Sequence, residues 1–136
     1  MTTVEVEDRI AAPLEKVWAV VSDFTGFIEA QGVPYTSDGE GIGMTRTISM
    51  GGAEVTERLE ELDEPTHTTS YSIVSAPLPL RDYQAWIALR DAEDGSTGIR
   101  WWSNFEPEGA DEQSAADMVR GIYRAGIAGL KKAVGA

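Results

Sequence analysis

The chain has 136 residues, enough to bury a core, and contains no cysteine, which excludes disulfides and thiolate chemistry. Its 23 acidic against 11 basic residues give a formal charge of −12, so nucleic-acid backbones and anionic membrane surfaces are disfavoured partners. No apolar run approaches the roughly 20 residues of a bilayer span, and residues 1–5 carry no basic stretch leading an apolar one, so a cytoplasmic location without membrane insertion is expected.

Residues 4–10 alternate apolar and polar side chains, the pattern of a first strand. Pro13 then stands at a helix start, where its missing N–H costs nothing, and Leu14, Val17, Trp18 and Val21 follow at helical spacing. Ser22-Asp23 supplies a cap for a second short helix with Phe24, Phe27 and Ile28, closed by Gly32 and Pro34. Residues 35–37 make a short strand before the turn-rich run from Asp38 to Gly43. That run lacks the Lys-Ser/Thr ending of a phosphate loop and no helix follows it, so nucleotide binding is not expected.

From Met44 the alternation resumes, with Met44, Arg46, Ile48 and Met50 on one face. Gly51-Gly52 then signals a hairpin. The returning strand groups Val55, Glu57 and Leu59, and the strand after the Asp63-Glu64-Pro65 turn groups Tyr71 and Ile73. Pro77 and Pro79 cannot sit in a central strand, so residues 77–80 form a stiff apolar loop, either a gate at a pocket mouth or a plain connection. The last two strands align Tyr83, Ala85, Ile87 and Leu89, then Ile99, Trp101, Ser103 and Phe105. Residues 111–134 read as one long helix whose stripe is Val119, Ile122, Tyr123, Ile127 and Leu130; its several glycines point to close packing or to a helix able to bend.

One domain over residues 1–136 is expected, of the α+β class: a meander of six to seven antiparallel strands covered by the terminal helix. A strongly curved sheet around one helix leaves room that side chains do not fill, and such room is a ligand site.

The ordered motifs are similar to those of the SRPBCC superfamily of helix-grip proteins. That group includes START lipid-binding domains, birch-pollen-allergen-like proteins and bacterial polyketide cyclase/dehydrase-like proteins. The resemblance is carried by the run from Ile10 to Trp18 with Asp23-Phe24, and by Gly43-Met44-Thr45-Arg46. Glu57-Arg58-Leu59 with Asp63, Tyr71-Ser72-Ile73, Pro77-Leu78-Pro79, Tyr83, and Trp101 through Phe105-Glu106-Pro107 continue it over nearly the whole chain. It implies a curved sheet gripping the terminal helix and a small hydrophobic ligand: polyketide-like, aromatic or lipid-like.

The strand phases collect a candidate site on one sheet face. Arg46 and Glu57, near neighbours across the Gly51-Gly52 turn, are the candidate catalytic pair, the carboxylate as general base and the guanidinium or a tyrosine polarising a carbonyl. Cyclisation or dehydration of a polyketone is the reaction such a pair suits; an ion pair that only sets strand register is the alternative. Candidate ligand contacts are Tyr71, Tyr83, Trp101 and Ser103 among Ile48, Val55 and Leu59, with Met118 and Ile122 from the helix and Tyr123 directed the same way. A non-catalytic carrier or sensor, and a protein-interaction module, remain as other functions. Trp86 and Trp102 fall on the opposite face, exposed or covered by a second copy in a homodimer. His67 is the only histidine, beside a turn, and no His/Cys/carboxylate spacing suits a metal, so neither metal nor cofactor is expected.

Overall fold

The computed structural model describes residues 1–136. Its elements run β1 (Thr2–Ile10), α1 (Leu14–Val21), α2 (Phe24–Ala30), β2 (Tyr35–Asp38), β3 (Thr45–Met50), β4 (Ala53–Asp63), β5 (Thr68–Ser75), β6 (Leu80–Asp91), β7 (Thr97–Pro107) and α3 (Glu112–Ala133). The seven strands form one antiparallel sheet in the order β1-β7-β6-β5-β4-β3-β2, a meander to which the first strand is added beside the last. This is the helix-grip arrangement expected from the sequence.

Local chemistry accounts for the element ends. Pro13 is the residue before the first turn of α1, with extended backbone, and its carbonyl accepts the amides of Lys16 and Val17. The Asp23 carboxylate accepts the Gly26 amide at 3.0 Å and starts α2. Gly51 and Gly52 both lie in the left-handed region, φ 58° and 86°, as a two-residue hairpin turn requires, and Met50 pairs with Ala53 beside it. Asp111 caps α3 through the Ser114 amide at 2.7 Å, and Lys131 and Lys132 lie in its last turn, where cations suit the helix dipole.

Burial follows the strand phases. Val55, Glu57 and Leu59 of β4, Tyr83, Ala85, Ile87 and Leu89 of β6, and Ile99, Trp101, Ser103 and Phe105 of β7 are all buried on the concave side. Between Arg81 and Gln84 the β6–β7 register shifts, and Asp82 there has φ 54°. The bulge puts Leu80 on the cavity side with Tyr83 and turns Arg81 outward, where strict alternation back from Tyr83 would bury Arg81. On the helix, Val119, Tyr123, Ile127 and Leu130 are buried, whereas Ile122 is half-buried at the edge of the stripe.

The helix glycines differ from one another. A Cβ at Gly126 would stand 2.7 Å from the Trp101 ring, and one at Gly129 would stand 3.0 Å from Gln31 Cγ; Gly121 has open space. Gly126 thus lets α3 lie directly on the Trp101 indole. On the convex face Trp86 and Trp102 are half-buried by stacking on each other, centroids 5.8 Å apart, with the Arg100 guanidinium 4.0 Å from the Trp102 ring. His67 is half-buried in its turn, edge-on to Trp18 at 5.3 Å. No helix is long and apolar enough to cross a membrane.

Candidate ligand site

Arg46 and Glu57 are Cα partners across β3 and β4. Arg46 Nε donates to Glu57 Oε1 at 2.8 Å, and Nη2 lies 2.8 Å from the same oxygen. Nη1 donates to the Phe24 carbonyl. The guanidinium lies under the Phe24 ring, 3.8 Å from its centroid, and 5.3 Å from that of Tyr71. Arg46 is 3 % exposed and Glu57 8 %. The pair therefore joins the sheet to the start of α2, in surroundings that strengthen its attraction and make loss of either partner costly.

Beside it lies a second polar group of neutral side chains. The Trp101 indole N–H donates to the Tyr71 hydroxyl at 3.2 Å, Tyr71 and Tyr83 hydroxyls are 3.4 Å apart, and Tyr83 bonds Tyr123. Trp101 also stacks on Tyr123, centroids 4.4 Å apart. Burial pushes the hydroxyls of all three tyrosines well above their ordinary range. They are donors and acceptors of hydrogen bonds here, not bases.

Two cavities open between these groups and the helix. The larger, about 70 Å³, is lined by Phe27, Gln31 and Val33 from α2 and its exit, by Arg46, Ile48 and Glu57, and by Trp101. The smaller, about 30 Å³, is lined by Val55, Leu78, Leu80, Tyr83 and Val119 among others. Met50, Glu57, Tyr71 and Ile122 line both. Glu57 is the one carboxylate in either wall.

The sheet splits next to the smaller cavity. Pairing of β5 with β6 ends at Ser72 and Gln84, and Ile73 continues against β4 alone. An open groove of about 620 Å³ occupies the outer side of this split, and it shares Ile73, Leu80 and Tyr83 with the cavity inside. Leu78, from the loop with Pro77 and Pro79, lines the inner side.

Of the residues read from the sequence, Arg46, Glu57, Ile48, Val55, Tyr71, Tyr83, Trp101 and Ile122 meet around these cavities. Ser103, Leu59, Met118 and Tyr123 line neither. Ser103 and Leu59 are in the closed core, the Ser103 hydroxyl without a hydrogen-bond partner, and Met118 packs at the core's edge. Sequence reasoning missed Phe27, Ile28, Gln31 and Val33 as wall residues, and it placed Met50 on the face of Arg46 and Ile48 without naming it as a contact. Gly126 and Gly129 carried the available signal, since small residues on α3 mark where Trp101 and Gln31 come close.

Comparison with known proteins agrees with this fold. Residues 1–135 match the family described as polyketide cyclase / dehydrase and lipid transport. The abscisic acid receptor PYL6 of Arabidopsis thaliana is 26 % identical over 146 residues, covering 96 % of this chain and 67 % of the receptor. The solved structure of XoxI from Bacillus cereus superposes with a TM-score of 0.87 at 25 % identity, over 98 % of this chain and 96 % of that one. Norcoclaurine synthase of Thalictrum flavum, solved with dopamine and hydroxybenzaldehyde, shares the fold at a TM-score of 0.79 and 15 % identity, over 98 % of this chain and 86 % of its own.

Proposed function

Since the chain belongs to the polyketide cyclase / dehydrase and lipid transport family, we propose that it takes a small apolar molecule into the space between the sheet and α3. The observation that carries this reading is the pair of cavities divided by shared residues: both walls include Met50, Glu57, Tyr71 and Ile122. Met50 and Ile122 are half-buried, flexible or edge-placed side chains, and their displacement would merge the two spaces. At 70 and 30 Å³ each is well below the roughly 300–1,000 Å³ of a formed small-molecule pocket. Ligand uptake therefore requires an opening motion. The split between β5 and β6 offers a way in from the outer groove, which shares Ile73, Leu80 and Tyr83 with the inner cavity, and the loop of Pro77, Leu78 and Pro79 acts as its gate.

Two relatives are named for small organic molecules: the abscisic acid receptor, and the synthase solved with dopamine and hydroxybenzaldehyde. They support binding as the common property. A second reading, catalysis, is favoured by the placement of Glu57 and Tyr71 in the walls of both cavities. In it Glu57 removes a proton from the carbon beside a ketone, the protonated Tyr71 hydroxyl donates to the developing enolate oxygen, and the proton leaves with a β-hydroxyl as water.

Native mass spectrometry tests the binding reading. Purified protein should carry an apolar small-molecule adduct, or acquire one from an apolar extract, and Ile122→Trp should abolish it by filling both cavities. An adduct of the same mass and occupancy in the variant would place binding elsewhere.

A further inference from the structure

Both Glu57-directed nitrogens of Arg46 converge on one carboxylate oxygen, Oε1. The other, Oε2, receives no donor from the protein, although Glu57 is 8 % exposed and lines both cavities. Oε2 is also absent from the fully enclosed polar atoms that lack partners, which are Thr2 Oγ1 and Ser103 Oγ. It therefore faces cavity space rather than packed atoms.

The positive charge of the site is meanwhile committed. Arg46 is matched by Glu57, bonded to the Phe24 carbonyl and covered by the Phe24 ring. No lysine and no second arginine lines either cavity. The Tyr71 hydroxyl already accepts the Trp101 indole proton.

We propose that this interior site selects apolar molecules bearing a hydrogen-bond donor, a phenol, alcohol or amine, and rejects carboxylates of the same shape, with Glu57 Oε2 as the recognising atom. The proposal rests on the interior being a ligand site. A ligand O–H or N–H supplies the one bond that the carboxylate lacks, in surroundings where such a charge-assisted bond is strong. A ligand carboxylate loses its hydration, meets an unpaired carboxylate oxygen, and finds no uncommitted cation.

The test follows the Trp101 indole N–H signal in nitrogen–proton correlation spectra of the full chain, assigned by its loss in Trp101→Phe. Four para-substituted toluenes are titrated: p-cresol, 4-methylbenzylamine, p-xylene and 4-methylbenzoate. The cresol and the amine should bind about tenfold or more tighter than the benzoate, with p-xylene between. In Glu57→Gln, whose amide can both accept and donate, the cresol-to-benzoate ratio should fall to within about threefold. Benzoate binding as tightly as cresol in the native chain, with p-xylene also bound, would overturn the selectivity and leave the site standing. An unchanged ratio in a folded Glu57→Gln would remove Oε2 as the recognising atom. No shift with any of the four, p-xylene included, would overturn the ligand site and the proposal together. The native-chain ratio decides the selectivity even where Glu57→Gln does not fold. Glu57→Asp, which keeps the carboxylate but withdraws it from the cavity, then tests the recognising atom: an unchanged ratio there would remove Oε2.

Discussion

Arg46 and Glu57 face each other directly across the β3–β4 hairpin, joined at 2.8 Å and buried beneath the Phe24 ring. Arg46→Met leaves a buried carboxylate without its cation and should cost about 3–5 kcal/mol. Glu57→Gln keeps an acceptor for Arg46 Nε and should cost less. The double variant Arg46→Met/Glu57→Leu should recover much of the loss, because a well-packed apolar pair avoids the desolvation of both charges. Urea denaturation at neutral pH measures all three. A loss below about 1 kcal/mol for Arg46→Met, the range of an exposed pair, would contradict the burial described.

The glycines of α3 should respond in opposite directions. Gly121 has open space, so Gly121→Ala should stabilise by about 0.5–1 kcal/mol through helix propensity. Gly126→Ala places a methyl 2.7 Å from the Trp101 ring and should destabilise by about 1–3 kcal/mol. Thermal denaturation of the two variants against the native chain reads the signs. Equal stabilisation by both would mean that α3 does not lie on Trp101.

Much of this arrangement was legible in residue patterns, and the limits are instructive. Period-two alternation placed Arg46, Glu57, Tyr71, Tyr83 and Trp101 on the concave face, and Gly51-Gly52 set Arg46 opposite Glu57. Alternation reports a face, however, and not a position along a curved sheet. Leu59 and Ser103 are on the same face as the cavity residues yet lie in closed core, and Tyr123 turns into the tyrosine cluster beside them. Gln31 and Val33 reach the larger cavity because α2 packs against α3, a contact between distant segments that local periodicity does not carry. The convex-face aromatics Trp86 and Trp102 shield one another, which cross-strand pairing explains once the β6–β7 register is known.

The buried tyrosines set an alkaline limit. Burial raises Tyr71, Tyr83 and Tyr123 in the folded chain, so their contribution to stability is fully present below the ordinary tyrosine value of about 10 and is lost as pH rises through the folded values. Phenolate absorbance near 295 nm should therefore lag that of the urea-unfolded chain by the share of these three, then rise together with loss of near-ultraviolet circular dichroism. Smooth ionisation of all four tyrosines in a still-folded chain would contradict their enclosure.

Acid should act through depressed carboxylates. Asp111 is lowered chiefly by the Ser114 amide it caps, and Asp8 by the Arg9 amide and then by Lys131, 3.0 Å away on α3. Depressed groups stabilise the fold above the ordinary Asp value of about 3.9 and lose that contribution as pH falls through their folded values. The urea midpoint should drop from pH 5 to pH 2, and the drop should be shallower in Asp111→Asn, which keeps a capping oxygen but does not titrate. An equal slope in that variant would deny the cap its role in the acid transition.

The central claim is that an apolar ligand occupies the space between the sheet and α3. It is tested most directly by nuclear Overhauser contacts between unlabelled p-cresol and a methyl-labelled chain. Contacts to the methyl groups of Ile48, Met50 and Ile122, which border the cavities, are the expected result. Contacts confined to residues around Trp86 and Trp102 on the convex face, with none to those methyls at saturating cresol, would contradict it.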